Sequence, residues 1–292
     1  MNTYLQNPEF VKRMIVDSEN LVEQRQKFLG GHGFSPQEIE AILGTTPVHK
    51  EITWGPNRFT MIPWAALGQV QSSIIETVKN NIEGDFVETG AWRGGTCILA
   101  KAMYKSLGAN KKIYVVDSFE GLPPPNPEKY PDDKNDTHYQ DPNMSASLET
   151  VQSNFNKFGL LDDQVVFIKG WFKDTMPTAP IDKISILRLD GDMYESTIDV
   201  LVYLYHKLSI GGYLIIDDYQ HPACRAAIQD FRLKHGITEE IIKVEPNPLN
   251  EVHYWVKKKP TQYIQMTQNA YPKRGVSRFM RSVHNTISNL TK

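Results

Sequence analysis

The sequence predicts a doubly wound α/β domain over residues 84–258, with a mostly parallel sheet and an antiparallel final strand. Short apolar segments alternate with segments whose apolar residues recur every three or four positions, which indicates strands alternating with helices. The strand segments are apolar throughout, as expected for a sheet covered by helices on both faces. The chain holds no run of eighteen apolar residues, so we expect no membrane-spanning helix.

Residues 1–83 are expected to form an N-terminal helical region that could also serve as a lid. Its first part is polar and is broken by glycines at 30, 31 and 33. Residues 64–78 then carry apolar side chains at helical spacing, and Gly84 is expected to end this helix region.

The elements of the α/β domain follow in a regular order. The predicted strands are DFVETG, KKIYVVDSF, VVFIKGW, ISILRLDGD, GGYLIIDDY and the closing pair EEIIKVEP and VHYWVKK. The predicted helices are GGTCILAKAMYKSLG, SASLETVQSNFNKFGL with Ser145 or Ser147 as N-cap, STIDVLVYLYHKL and PACRAAIQDFRLKHG. The closing strands are near enough in sequence to pair antiparallel. Residues 120–145, rich in Pro, Asp and Asn, form a long loop that we expect to be either a functional lid or disordered.

The charge distribution argues against a nucleic-acid-binding protein. Lys and Arg total 32 against 34 Asp and Glu, whereas affinity for nucleic acid depends on an excess of basic residues. Residues 257–292 hold eight basic residues and no acid, so 259–292 is a basic tail on an acidic body. Its segment SRFMRSVHNTISNL can form an amphipathic helix. We expect the tail to dock on its own domain or on a second subunit of a homo-oligomer; an anionic membrane surface is the alternative.

Cysteine usage and the N-terminus favour a cytoplasmic protein. The two cysteines, Cys97 and Cys224, lie in helix-like segments and are expected to be buried thiols rather than a disulfide. The start MNTYLQNPEF has neither the basic nor the apolar region of a secretory signal.

The turn after the first strand favours a cofactor with a ribose and a cationic end. In open α/β sheets, ligands bind beyond the carboxyl ends of the strands. The turn Glu88–Gly95 is glycine-rich, but Trp92 stands at the middle glycine of a dinucleotide motif and Glu88 would repel a phosphate. Asp117, at the end of the second strand, is placed to accept hydrogen bonds from ribose hydroxyls. S-adenosylmethionine fits these features, and an ordinary tight turn is the alternative.

Four aspartates follow the fourth and fifth strands and predict a metal site. They are Asp190, Asp192, Asp217 and Asp218. So many carboxylates repel one another unless they are neutralised, and Mg²⁺ prefers such oxygen ligands. No His or Cys accompanies them in sequence, which disfavours zinc. Asp190 and Asp192 are two apart and would point the same way in extended backbone. The alternative is that Asp217 and Asp218 only cap the next helix.

Long segments of the chain resemble the macrocin O-methyltransferase (TylF-like) family. The resemblance covers about residues 55–258 and is carried by FVETGAWRGGTCILAKAMY, VVDSFEGLPPP, SLETVQSNFNKFGLLDDQVVFIKGWFKDTMP, LRLDGDMYEST and IIDDYQHPACRAAIQDFR. It implies a class I methyltransferase (Rossmann-like) fold that uses S-adenosylmethionine and Mg²⁺ to methylate a sugar hydroxyl of a small molecule or glycoside.

The resemblance also assigns roles to residues. It implies metal binding by Asp190, Asp217 and Asp218, and a general base at Asp192. The cofactor contacts that it implies are Met61, Glu88, Thr89, Gly90, Asp117, Ser118, Ser147, Trp171 and Phe172. Met61 and Trp171 can also be read as core residues. His221 is a candidate second acid or base.

Three other functions are compatible with parts of the pattern. Asp190-Gly191-Asp192 matches the DxD motif of glycosyltransferases, but the acidic first turn offers no diphosphate site. A catechol-type methyltransferase of the same fold carries a lysine base three residues after the first metal aspartate, where Met193 stands here. A non-catalytic cofactor-binding scaffold is the third alternative, although it would have no use for four clustered carboxylates.

Overall fold

A computed structural model describes residues 59–62, 64–245 and 252–261 of the chain. The predicted helices before residue 59 and the tail after residue 261 lie outside these residues. Within them, seven strands form one sheet. The strands are β1 (Asp85–Thr89), β2 (Ile113–Asp117), β3 (Val165–Lys169), β4 (Ile184–Leu189), β5 (Leu208–Ile216), β6 (Ile242–Lys243) and β7 (His253–Val256).

The sheet is mostly parallel with an antiparallel final strand, as predicted, and its strand order is β3-β2-β1-β4-β5-β7-β6. Strands β1 to β5 are parallel, β7 is antiparallel to β5, and β6 pairs antiparallel with β7. Strand β1 has β2 on one side and β4 on the other, so the chain reverses its winding direction there. This reversal opens a crevice at the carboxyl ends of the strands.

Six helices lie among the described residues. They are α1 (Trp64–Lys79), α2 (Gly95–Ser106), α3 (Leu148–Lys157), α4 (Phe172–Thr175), α5 (Tyr194–Leu204) and α6 (Pro222–His235). The single turn α4 was not predicted. Ser147 is the N-cap of α3, since its hydroxyl accepts a hydrogen bond from the Thr150 backbone N–H at 3.2 Å. None of these helices combines the length and hydropathy that a membrane crossing requires.

Alternate residues of the strands contribute side chains to two hydrophobic cores, one on each face of the sheet. On the first face α1, α2 and α3 bury side chains such as Leu67, Ile98 and Phe155. On the second face α5 and α6 bury side chains such as Leu201 and Phe231. Helix α1, which we assigned to the N-terminal region, packs within the first core. Cys97 and Cys224 lie in opposite cores as buried thiols, which confirms that they form no disulfide with each other.

The loop 120–145 contains three short 3₁₀ turns, at Pro131–Asp133, His138–Gln140 and Pro142–Met144. Two residues of the loop are buried, since Tyr130 and Asp133 are 8% and 0% exposed. The Asp133 carboxylate accepts hydrogen bonds from the backbone N–H groups of Tyr194 at 2.6 Å and Glu195 at 3.0 Å. The loop therefore caps the N-terminus of α5 and is fixed over the carboxyl edge of the sheet.

Candidate active site

A cavity opens at the carboxyl ends of β1 to β4, where the sequence placed the chemistry. It contains about 760 Å³ of space, including the solvent-filled space at its open mouth. Six of the predicted cofactor residues line it: Met61, Gly90, Asp117, Ser118, Trp171 and Phe172. Asp190 and Asp192 line the same cavity. The loop 120–145 contributes Gly121, Leu122, Pro123 and Met144 to its wall.

The turn after β1 approaches the end of β4 very closely. Gly90 has a φ of +88°, and a Cβ on it would overlap the carbonyl oxygen of Asp190. Trp92 is also left-handed, with a φ of 47°, and its indole N–H donates to the Asn143 carbonyl at 2.8 Å. The bulky residue that we expected to exclude a dinucleotide thus anchors the loop 120–145 across the cavity.

Asp117 holds two turns together. One carboxylate oxygen accepts hydrogen bonds from the backbone N–H groups of Ala91 at 2.7 Å and Trp92 at 3.1 Å. The other accepts from the Phe119 N–H at 2.7 Å. Asp117 lines the cavity as expected, but three backbone donors already engage the carboxylate that we expected to serve ribose hydroxyls.

A buried arginine, which the sequence reading missed, neutralises part of the carboxylate cluster. Arg188 is 1% exposed and its guanidinium contacts Glu88 at 2.5 Å, Asp190 at 2.7 Å and Asp217 at 2.5 Å. One guanidinium therefore contacts Glu88 and two of the four predicted aspartates, Asp190 and Asp217. The sequence feature that could have revealed this ion-paired arginine is its place inside the apolar strand ISILRL. A charged side chain that is buried in a sheet must be paired.

Three predicted cofactor residues do not line the cavity. Glu88 is 1% exposed and, besides Arg188, accepts a hydrogen bond from the Cys97 thiol at 2.8 Å, so its carboxylate is engaged by partners within the protein interior. The pKa of Glu88 is raised, mainly because its carboxylate is buried. The Thr89 hydroxyl is buried and donates to the Arg188 carbonyl at 3.3 Å. Ser147 caps α3 instead.

Asp192 reaches the cluster by a route that differs from the predicted one. Strand β4 ends at Leu189, and Asp192 has a left-handed φ of 57° rather than the extended backbone that we expected. Its N–H donates to the Asp218 carboxylate at 2.9 Å, which accounts for the turn. Burial, followed by the charges of neighbouring carboxylates, raises the pKa of both Asp192 and Asp218. These charges favour a bound cation or proton between the two side chains.

Two histidines lie beside the cluster. Ligand atoms of Asp192, Asp218 and His221 all lie within 4.8 Å of one another, so the fold brings a histidine to carboxylates to which the sequence pattern had assigned none. The His221 ring is 5.7 Å from the ring of His138, measured between centroids. Asp136 binds His138 Nδ1 at 3.0 Å, and this contact raises the pKa of His138. The loop 120–145 thus places an acid–histidine pair at the edge of the cluster.

The predicted metal ligands fit a hard divalent cation. Carboxylate oxygens of Asp190, Asp217 and Asp218 all lie within 4.8 Å of one another. Three carboxylates with oxygen-only donors suit Mg²⁺. Arg188 contacts one oxygen of Asp190 and one of Asp217, so it fixes the orientation of both carboxylates.

Comparisons with known proteins agree with the geometry. The family model described as Macrocin-O-methyltransferase (TylF) matches residues 36–256. Mycinamicin III 3''-O-methyltransferase of Micromonospora griseorubida is 45% identical over 190 residues, which are 64% of this chain and 75% of the relative. Demethyldecarbamoylnovobiocin O-methyltransferase of Streptomyces niveus is 42% identical over 205 residues, which are 69% of this chain and 77% of the relative.

Solved structures give the same result. The O-methyltransferase NovP aligns with a TM-score of 0.67 at 36% identity, covering 83% of this chain and 100% of that chain. The calicheamicin methyltransferase CalS11, at 19% identity and a TM-score of 0.54, shares the fold. The family model spans most of the chain and the similar proteins are named O-methyltransferases. The chain is therefore an O-methyltransferase and belongs to the macrocin O-methyltransferase (TylF) family.

Proposed function

We propose that this enzyme transfers the methyl group of S-adenosylmethionine to a sugar hydroxyl of a small-molecule glycoside, with Mg²⁺ bound by Asp190, Asp217 and Asp218. The observation that carries the proposal is that Asp190 and Asp192 line the same cavity as Trp171, Phe172 and Met61. A methyl donor held by the apolar side chains would therefore lie beside the carboxylates. Relatives named for methylation of mycinamicin and of a rhamnosyl tetracenomycin support a sugar acceptor.

The family assignment removes two of the earlier alternatives. An O-methyltransferase is neither a DxD glycosyltransferase nor a non-catalytic scaffold. Met193, which is fully buried, occupies the position of the catechol-type lysine base, so no lysine is available there. We propose the cytoplasm as the location of the enzyme and a homo-oligomer as its assembly.

In the proposed reaction Asp192 takes the proton of the acceptor hydroxyl. When bound, Mg²⁺ would supply positive charge that lowers the pKa of a hydroxyl, and S-adenosylmethionine would supply an electrophilic methyl group. Asp192 lines the cavity and its backbone is held by Asp218, so its carboxylate is positioned as a general base. Arg188 keeps Asp190 and Asp217 oriented without entering the cavity lining.

Asp192→Asn tests the assigned base. We expect methyl transfer in single-turnover experiments to slow by roughly 10²–10⁴-fold, the usual contribution of a general base. Binding of S-adenosylhomocysteine, measured by calorimetry, should change little. Asp182→Asn is the matched control, because Asp182 is an exposed carboxylate that precedes β4. An active Asp192→Asn together with an inactive His221→Ala would assign the base to the histidine.

Metal removal tests the ligand set independently. We expect EDTA to abolish methylation of deoxysugar-bearing compounds and Mg²⁺ to restore it. Asp218→Asn should raise the Mg²⁺ concentration needed for half of the maximal rate, because it removes one anionic ligand. Full turnover in the presence of chelator would refute the metal assignment.

A further inference from the structure

Helix α5 presents two carboxylates to the cavity that the mechanism does not use, Glu195 and Asp199. Glu195 is only 8% exposed. Its backbone N–H donates to Asp133, but no hydrogen bond among the described residues reaches its carboxylate. Lys173 and Lys129 act on it only through their charges. Because Glu195 lines the cavity and its carboxylate has no hydrogen-bond donor among the described residues, this side chain is suited to a donor on a bound ligand.

An aromatic surface lies at the same end of the cavity. Gly191 sits between Phe172 and Ser196: a Cβ on Gly191 would lie 3.4 Å from the Phe172 ring and 3.0 Å from the Ser196 Cβ. Ser196 directly follows Glu195, and Trp171 precedes Phe172; all four line the cavity. This end therefore combines flat apolar side chains with an acceptor-only group.

Only one part of the proposed methyl donor matches that chemistry. The sulfonium and its methyl group must face Asp192, and a ribose is not flat. The adenine is flat, and its exocyclic amine is an N–H donor. Asp199 lies four residues farther along α5, about 6 Å farther from the edge of the sheet.

We propose that Glu195 accepts a hydrogen bond from the exocyclic amine of the adenine of S-adenosylmethionine, and that it thereby selects an adenine over a 6-oxopurine. The inference rests on the proposed use of that cofactor. A 6-oxopurine would place a carbonyl oxygen against the Glu195 carboxylate, so two acceptors would face each other and neither would be satisfied.

The test is calorimetry on the full chain at pH 8 with S-adenosylhomocysteine and with S-inosylhomocysteine, its 6-oxo analogue. We expect the unmodified protein to bind the adenine compound roughly 10- to 100-fold more tightly, the range for leaving a buried polar group unsatisfied. Glu195→Gln should abolish or reverse this preference, since its amide can donate to the 6-oxo group. Asp199→Asn, the same chemical change one turn along the helix, should keep the preference.

The outcomes separate the inference from the proposed function. Equal binding of the two compounds by the unmodified protein overturns the role of Glu195 and leaves the methyl donor intact; this comparison requires no variant to fold. A Glu195→Gln protein that keeps the full preference also overturns it. Loss of the preference in Asp199→Asn alone would assign the role to Asp199 and reject Glu195. Binding of neither compound would reject the proposed cofactor itself.

Discussion

At the scale of single residues, the site depends on left-handed backbone conformations that residues other than glycine rarely adopt. Trp92, Phe119 and Asp192 all have left-handed φ values, and each follows a strand whose end faces the cavity. Such conformations cost about 1–3 kcal/mol each and persist only where the surroundings enforce them. The hydrogen bonds from the Phe119 and Trp92 N–H groups to Asp117, and from the Asp192 N–H to Asp218, supply that enforcement.

Gly90→Ala should disable the site. The methyl group would overlap the Asp190 carbonyl, and alanine disfavours a φ of +88°. We expect a loss of more than about 2 kcal/mol in the free energy of unfolding, measured in urea, and lost binding of S-adenosylhomocysteine. Gly68→Ala is the control, because no atom lies within 4 Å of its added Cβ and it lies inside α1. That variant should be unchanged or more stable by about 0.5–1 kcal/mol.

Arg188→Met should be strongly destabilising. It leaves Glu88, Asp190 and Asp217 without their shared counterion, and breaking a buried ion pair costs about 3–5 kcal/mol. Urea unfolding is the measurement. Lys183→Met is the control, since its ion pair with Glu83 is exposed and screened by solvent, so its loss should change the free energy of unfolding little. Equal effects of the two substitutions would contradict the role assigned to Arg188.

Asp199 predicts a pH dependence of stability. Burial, followed by the charge of Glu195, raises its pKa to about 7. Between about pH 4 and pH 7 the folded state therefore holds a proton that the unfolded chain has released. The free energy of unfolding consequently falls as pH rises through this window. Asp199→Asn should flatten that decline, making the variant more stable than the unmodified protein at pH 8 by roughly 1–3 kcal/mol but not at pH 4. Parallel urea-unfolding curves at both pH values would contradict this.

Which site residues could be predicted depended on whether the fold topology alone or a particular side-chain contact sets their position. Asp190, Asp217 and Asp218 follow strands, so the topology alone brought them together. Glu88 follows the same rule but is buried, because its counterion is on β4, a hundred residues later. The left-handed turn at Asp192 was also unpredictable, since it depends on the hydrogen bond to Asp218.

At the scale of elements, the loop 120–145 is attached to the sheet edge through α5. Asp133 caps the helix from a distant part of the chain. It is 61 residues from Tyr194, whose N–H donates to it, so no local sequence pattern predicts the contact. Strand and helix positions were predictable because hydrophobic periodicity is local. The exception was α4, which has four residues, too few to show a period.

Asp133→Ala should loosen both the loop and the helix start. It removes two acceptors from the N-terminus of α5, and losing an N-cap costs about 0.5–2 kcal/mol. We expect lower urea stability and faster hydrogen exchange of the Tyr194 and Glu195 amides. Asp133→Asn, which keeps a side-chain oxygen, should retain most of the stability. If alanine and asparagine were equivalent, the cap would be unimportant.

At the scale of the whole molecule, the cavity joins segments that are distant in the chain. Its walls come from the turns after β1, β2, β3 and β4, from the loop 120–145 and from Met61 before α1. Both hydrophobic cores support these turns, because alternate residues of the same strands enter each core. A ligand that contacts several turns at once therefore binds only when the entire sheet is folded.

Ligand binding should accordingly stabilise the whole domain. A ligand that binds only the native state, present at 100 times its Kd, adds about 2.7 kcal/mol to the free energy of unfolding. For a domain of this size we expect S-adenosylhomocysteine to raise the Tm by roughly 5–10 °C. Trp171→Ala should show a smaller rise in Tm at the same ligand concentration, because the substitution removes a side chain that lines the cavity and leaves the strands unchanged. Uridine diphosphate, which requires a phosphate site that the acidic edge does not offer, should leave the Tm unchanged. A rise with uridine diphosphate but none with S-adenosylhomocysteine would contradict the assignment of this cavity to a methyl donor.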